Sequence, residues 1–184
     1  MESKDPEIDV LRALTFFQLC EFNQAEKILL KFEATYKPMR TEIKSFLQQY
    51  SSAEGVALSD QAFDAYFSDD HSDSTIQSRM FLKLLRNQDL GSLVRHMDLM
   101  DREIQLINQQ KSVWRDGLGS HMKKAIQKDT IRYKKKAGKY LLKELDNQYQ
   151  KLGDWMSQSQ IIRFEIVDAQ RVDYQFKMKN PELQ

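Results

Sequence analysis

Apolar positions along this chain fall three and four residues apart, the interval of one helix face, and seldom alternate as they would in a strand. From Pro6 to Cys20 a first helix draws its apolar surface from Ile8, Val10, Leu11, Leu14, Phe17 and Leu19. Its start is marked by Asp5, a side-chain cap, then by Pro6, whose missing N–H costs nothing in the first turn. Glu7 adds an acid at the positive end of the helix dipole. Glu21-Phe22-Asn23 breaks the run, and a second helix follows to about Tyr36 on Ala25, Ile28, Leu29 and Phe32. Pro38 is expected to end that helix or to open the next, which runs from Thr41 to Tyr50 with Ile43, Phe46 and Leu47.

Residues 51–60, with Gly55, read as a loop, and Ala62 to Phe67 as a short aromatic helix. The polar run from Ser68 to Ser74 is a connector rich in capping residues. An apolar helix is expected from Thr75 to Arg86, on Ile76, Met80, Phe81, Leu84 and Leu85. Asp89 should cap a helix reaching Trp114, with Leu93, Met97, Met100, Ile104, Ile107, Lys111 and Trp114 as a seam of alternating steps. Gly117 and Gly119 mark a turn. From Ser120 to Lys179 only Gly138 and Gly153 interrupt a helical pattern that Pro181 closes, with a bend expected between Gly153 and Ser159. Within that stretch Ala137, Leu141, Leu145, Tyr149, Leu152 and Met156 average about 3.8 residues per step, away from the 3.5 of a left-handed coiled coil. Antiparallel packing back on the 93–114 helix is the expected arrangement. The fold class is therefore all-α: helical hairpins followed by long antiparallel helices, divided as 1–60, 61–116 and 117–184.

Composition supports long helices, since 184 residues contain only 6 Gly and 3 Pro. The length suffices to bury a core without disulfides or metal. A single Cys20 excludes an internal disulfide and, lying in an apolar run, is expected to be a buried, inert thiol. No apolar stretch reaches the length of a membrane span, and no leader pattern opens the sequence. As it stands the chain reads as cytoplasmic; preceded by a leader and further repeats, it would be periplasmic or envelope-associated. Charge is polarised: residues 1–73 hold 7 Lys+Arg against 14 Asp+Glu, and residues 74–184 hold 21 against 13.

Residues 6–38 resemble one tetratricopeptide (TPR) repeat. Ala13 stands at the small position where the two helices cross, and Phe16 or Phe17 at the first-helix aromatic. Phe22 stands near the turn, Ala25 at the small position of the second helix and Phe32 near its end, with Pro38 about one residue past the closing proline. The first-helix tryptophan and the glycine before the turn are missing. The whole chain looks like the C-terminal part of bacterial TPR proteins whose last repeat runs into a long helical hairpin. That resemblance implies a non-catalytic scaffold or adaptor, of the kind associated with envelope or motility complexes. It also implies company for the repeat, because a lone repeat cannot cover its own apolar faces.

No phosphate-binding loop, dinucleotide glycine motif, HExxH helix or paired CxxC is present, and no catalytic constellation or cofactor is expected. Asp69, Asp70, His71 and Asp73 lack calcium-loop spacing and read as a capping connector. The chemically distinctive segment is basic: Lys123 to Lys143 holds nine Lys+Arg against Asp129 alone. Lys128, Arg132, Lys135, Lys136, Lys139 and Lys143 are the candidate electrostatic contacts, for an acidic protein or, alternatively, nucleic acid or an anionic membrane. Lys134, Lys135 and Lys136 are expected to spread around the helix. Trp155, Ile162, Phe164, Ile166 and Phe176 are the candidate apolar contacts, for a partner protein or for self-association through the C-terminal helix.

Overall fold

The computed structural model describes residues 5–50, 58–68 and 88–179. Within them the fold is all-α, with six helices and no strand: α1 (Pro6–Gln18), α2 (Phe22–Tyr50), α3 (Ser59–Ser68), α4 (Gln88–Asn108), α5 (Ser112–Asp116) and α6 (Leu118–Lys179). The expected connector from Ser68 onward and the helix to Arg86 fall, beyond Ser68 itself, outside the described residues. The chain divides into two compact units, Met1–Lys44 with Asn147–Gln184, and Ser45–Asp146.

In the first unit α1 starts as its residues dictate, with Asp5 accepting a hydrogen bond from the Glu7 backbone N–H at 3.2 Å. It ends in a Schellman turn. The Cys20 N–H donates to the Phe17 carbonyl at 3.0 Å and the Glu21 N–H to the Phe16 carbonyl at 2.9 Å. This turn needs a left-handed residue, usually glycine, and Cys20 fills it at φ 59°. Cys20 is thus exposed, not buried, because the residue that closes the turn lies past the helix's apolar face. A Cβ in this region costs about 1 kcal/mol relative to glycine. Cys20→Gly is expected to stabilise the protein by about that amount, read as a shift of the urea midpoint.

Pro38 does not end the second helix: α2 runs unbroken through it for 29 residues. Its ring lies on the exposed side, while Phe32, Tyr36 and Ile43 are buried around it and hold the helix across the missing hydrogen bond. Val10, Ala13, Ala25, Leu29 and Phe32 form the inner surface of the α1–α2 hairpin. The C-terminal half of α6 supplies Leu152, Ser159, Ile162 and Ile166 to the same core. Glu33 accepts two hydrogen bonds from the Arg163 guanidinium, at 3.1 and 3.2 Å, and one from the Ser159 hydroxyl at 3.5 Å. Further along α2, the Arg40 guanidinium donates to the Tyr149 carbonyl at 3.4 Å and lies 4.3 Å from that ring's centroid. Residue numbers rise on α2 as they fall on α6, so the two segments pack antiparallel. Gly153 is a seat for Arg40 within an unbroken helix, since a side chain there would meet the guanidinium.

In the second unit the end of α2 and α3 share an aromatic cluster, with Phe46 edge-on to Tyr66 at 5.7 Å and Phe63 stacked on Phe67 at 4.4 Å. Burial pushes the Tyr66 phenol above its ordinary range. Ser59, at the start of α3, lies with its backbone directly on Gly138 of α6. α4 buries Leu90, Leu93, Met97 and Ile107, so the expected seam exists up to that point. It stops short of Trp114, because α4 ends at Asn108 and a separate turn of helix, α5, begins at Ser112. The polar run Asn108-Gln109-Gln110 offers no apolar anchor, and the Gln109 and Gln110 N–H groups close the helix with turn bonds to Leu106 and Ile107. α4 pairs antiparallel with α6 as expected: Ile107 lies by Gly119, Met100 by Thr130, and His96 by Tyr133.

Candidate functional site

Chemistry-bearing side chains concentrate on two faces of α6, one in each unit. The first is cationic. At the winding of an α-helix, Lys124, Lys128, Arg132, Lys135, Lys136, Lys139 and Lys143 fall within an arc of about 120°, in a row about 28 Å long. All seven are exposed. The opposite side carries Ala137, Leu141 and Leu145 inward to the core. Lys134 is the exception among the three consecutive lysines, turned to Asp64 of α3 in an ion pair of 2.7 Å. Lys135 and Lys136 lie near the two edges of the row, so the triplet spreads around the helix as expected: one lysine pairs with α3 and two join the stripe.

No ion pair within 4.0 Å forms on any of the seven among the described residues. Five pairs in the row stand four residues apart, and like charges so placed cost about 0.2–0.5 kcal/mol each. The row therefore weakens its own helix by roughly 1–2.5 kcal/mol. Lys124 was legible from the same winding, four residues before Lys128, and escapes notice only when the basic run is read as a string.

The second face is apolar and lies in the first unit. Here the candidate contacts part ways. Ile162 and Ile166 are buried, their surface already used against the α1–α2 hairpin, and Trp155 is half-buried. Phe164 is 74% exposed, Val167 62% and Met178 67%, and Phe176 is also exposed. Phe164, Val167, Gln160, Arg163 and Ile166 line an open pocket of about 300 Å³ with Glu26 of α2. Val167, Glu26, Gln160 and Arg163 were not among the expected contacts. Val167 was visible as the apolar position three after Phe164, whereas Glu26 joins only through the tertiary approach of α2.

Among the described residues, no three of His, Cys, Asp or Glu gather as a metal ligand set, and no helix is long and apolar enough to cross a membrane. The Asp69-to-Asp73 cluster lies outside the described residues. Compared with known proteins, the chain matches no family model, no curated protein and no solved structure.

Proposed function

We propose that this chain is a non-catalytic protein–protein interaction scaffold, a TPR-like hairpin covered by a long helix whose outer face docks a partner. The carrying observation is the split of α6's C-terminal third, with Ile162 and Ile166 inward while Phe164, Val167 and Met178 stand exposed. Apolar side chains exposed together on one rigid element mark interaction surfaces more often than they decorate monomers. The open pocket beside Phe164 is sized for one apolar side chain, as in helix-in-groove recognition. The hairpin reading is supported by Ala13 and Ala25, both fully buried, as close crossing of two helices demands.

Phe164→Asp with Val167→Asp removes the apolar contacts while leaving the inward face untouched. The double variant should unfold within about 0.5 kcal/mol of the parent, as expected for exposed positions. In cross-linking pull-downs from native extract, a stoichiometric partner should be lost at least about tenfold, the weight of one or two interface anchors. Sedimentation velocity separates self-association from a foreign partner. Equal recovery of every partner, and an unchanged sedimentation coefficient, would remove the outer face from consideration.

A further inference from the structure

We infer that the cationic row of α6, from Lys124 to Lys143, is a binding site for the phosphate backbone of nucleic acid, read without regard to base sequence. This site belongs to the second unit and stands independently of the apolar face proposed above. Three observations carry it. The row is linear and one helix wide, and a nucleic-acid strand presents its charges in a line, whereas a bilayer surface engages a broad patch. The apolar residues in the arc are Ala125 and Leu142, and Leu142 is buried, so the row offers no large apolar side chain to a lipid interface, where peripheral helices anchor. The whole chain carries a net charge of only +1, so attraction to a polyanion would come from this local array and not from overall charge.

Six of the seven cations are lysines, compact point charges on flexible stems. They suit phosphates at varying positions better than the fixed geometry of base edges, which favours arginine, asparagine and glutamine. Lys134, drawn off to Asp64, keeps α3 against the helix and leaves the row's own cations to solvent. Each phosphate neutralised releases condensed counterions, which makes salt dependence the signature of this binding mode.

The test is fluorescence anisotropy of the full chain with a labelled 24-base-pair duplex in two unrelated sequences, across a salt series. Binding should be equal for the two sequences, and log K should fall against log salt with a slope of about −4 to −6, for five to seven phosphates contacted. A row variant, Lys128→Gln, Arg132→Gln, Lys135→Gln and Lys139→Gln, should lose at least about a hundredfold at moderate salt. A charge-matched control, Lys27→Gln, Lys37→Gln, Lys44→Gln and Lys151→Gln, changes exposed cations elsewhere and should lose less than about threefold. Circular dichroism of both variants reports that the helices are retained. The inference is overturned if the control loses as much as the row variant, or if the slope is shallow. It is equally overturned if vesicles containing phosphatidylserine retain the parent chain while the duplex does not.

Discussion

Gly138→Ala should destabilise the second unit by about 2 kcal/mol, although alanine is the better helix former by about 1 kcal/mol. Two effects oppose each other at this position. Within a 62-residue helix, glycine sacrifices backbone entropy that alanine would keep, and on an open face the exchange would stabilise. Here the added methyl would fall inside the van der Waals surface of the Ser59 carbonyl oxygen. That neighbour is backbone at the start of α3 and cannot turn aside, so α3 itself must move. Moving it strains the packing of Ala62, which is fully buried, and of the Phe63 and Tyr66 rings. Gly153→Ala is the internal comparison, for its methyl meets only the far end of the Arg40 side chain. It should be neutral, or stabilising by up to about 1 kcal/mol, and urea unfolding of the pair separates the two effects. Equal stability of the Gly138→Ala variant and the parent would show that α3 does not rest on α6 as described.

Pro38→Ala should stabilise the protein by about 2 kcal/mol, the largest gain expected from any single exposed position. Proline inside a helix is about 3 kcal/mol less favourable than alanine, because it leaves the carbonyl four residues earlier unbonded and crowds it. Proline also restricts the unfolded chain, which returns up to about 1 kcal/mol and sets the net figure. Since Pro38 is exposed within α2, no packing is lost with the ring. The melting temperature should rise by about 5 °C. A fall instead would mean that the proline holds a shape of α2 on which the antiparallel α6 contact depends, with Glu33 and Arg40 the first contacts to suffer.

These two positions also show where the sequence could and could not be read. Helix existence, the α4–α6 pairing and the basic segment were legible because spacing alone determines which residues share a face. Pro38 was misleading because local propensity favours a break, and only the burial of Phe32, Tyr36 and Ile43 on either side reverses that preference. Cys20 was misread for a related reason: its apolar neighbours said nothing of the left-handed turn that places it in solvent. The α4 terminus at Asn108 was hidden inside a seam whose spacing continues to Trp114 although the helix does not. At the candidate site, the apolar character of Ile162, Phe164, Ile166 and Phe176 was plain. Which residues face outward depended on the position of the α1–α2 hairpin, so Ile162 and Ile166 could not be told from Phe164 beforehand.

The pairing of Glu33 with Arg163 has a kinetic corollary. These partners are 130 residues apart, whereas Ile107 and Gly119 of the α4–α6 hairpin are about a dozen apart. Closing the longer loop costs about 2 kcal/mol more in chain entropy, so the hairpin is expected to form first and the Glu33–Arg163 contact last. During synthesis, the apolar side of α1 and α2, with Leu29 and Phe32 at its centre, stays uncovered until Ile166 has left the ribosome. Between the synthesis of α2 and that of Ile166 the nascent polypeptide thus offers a sticky surface to whatever chaperones attend it, and burial arrives only with the far end of α6.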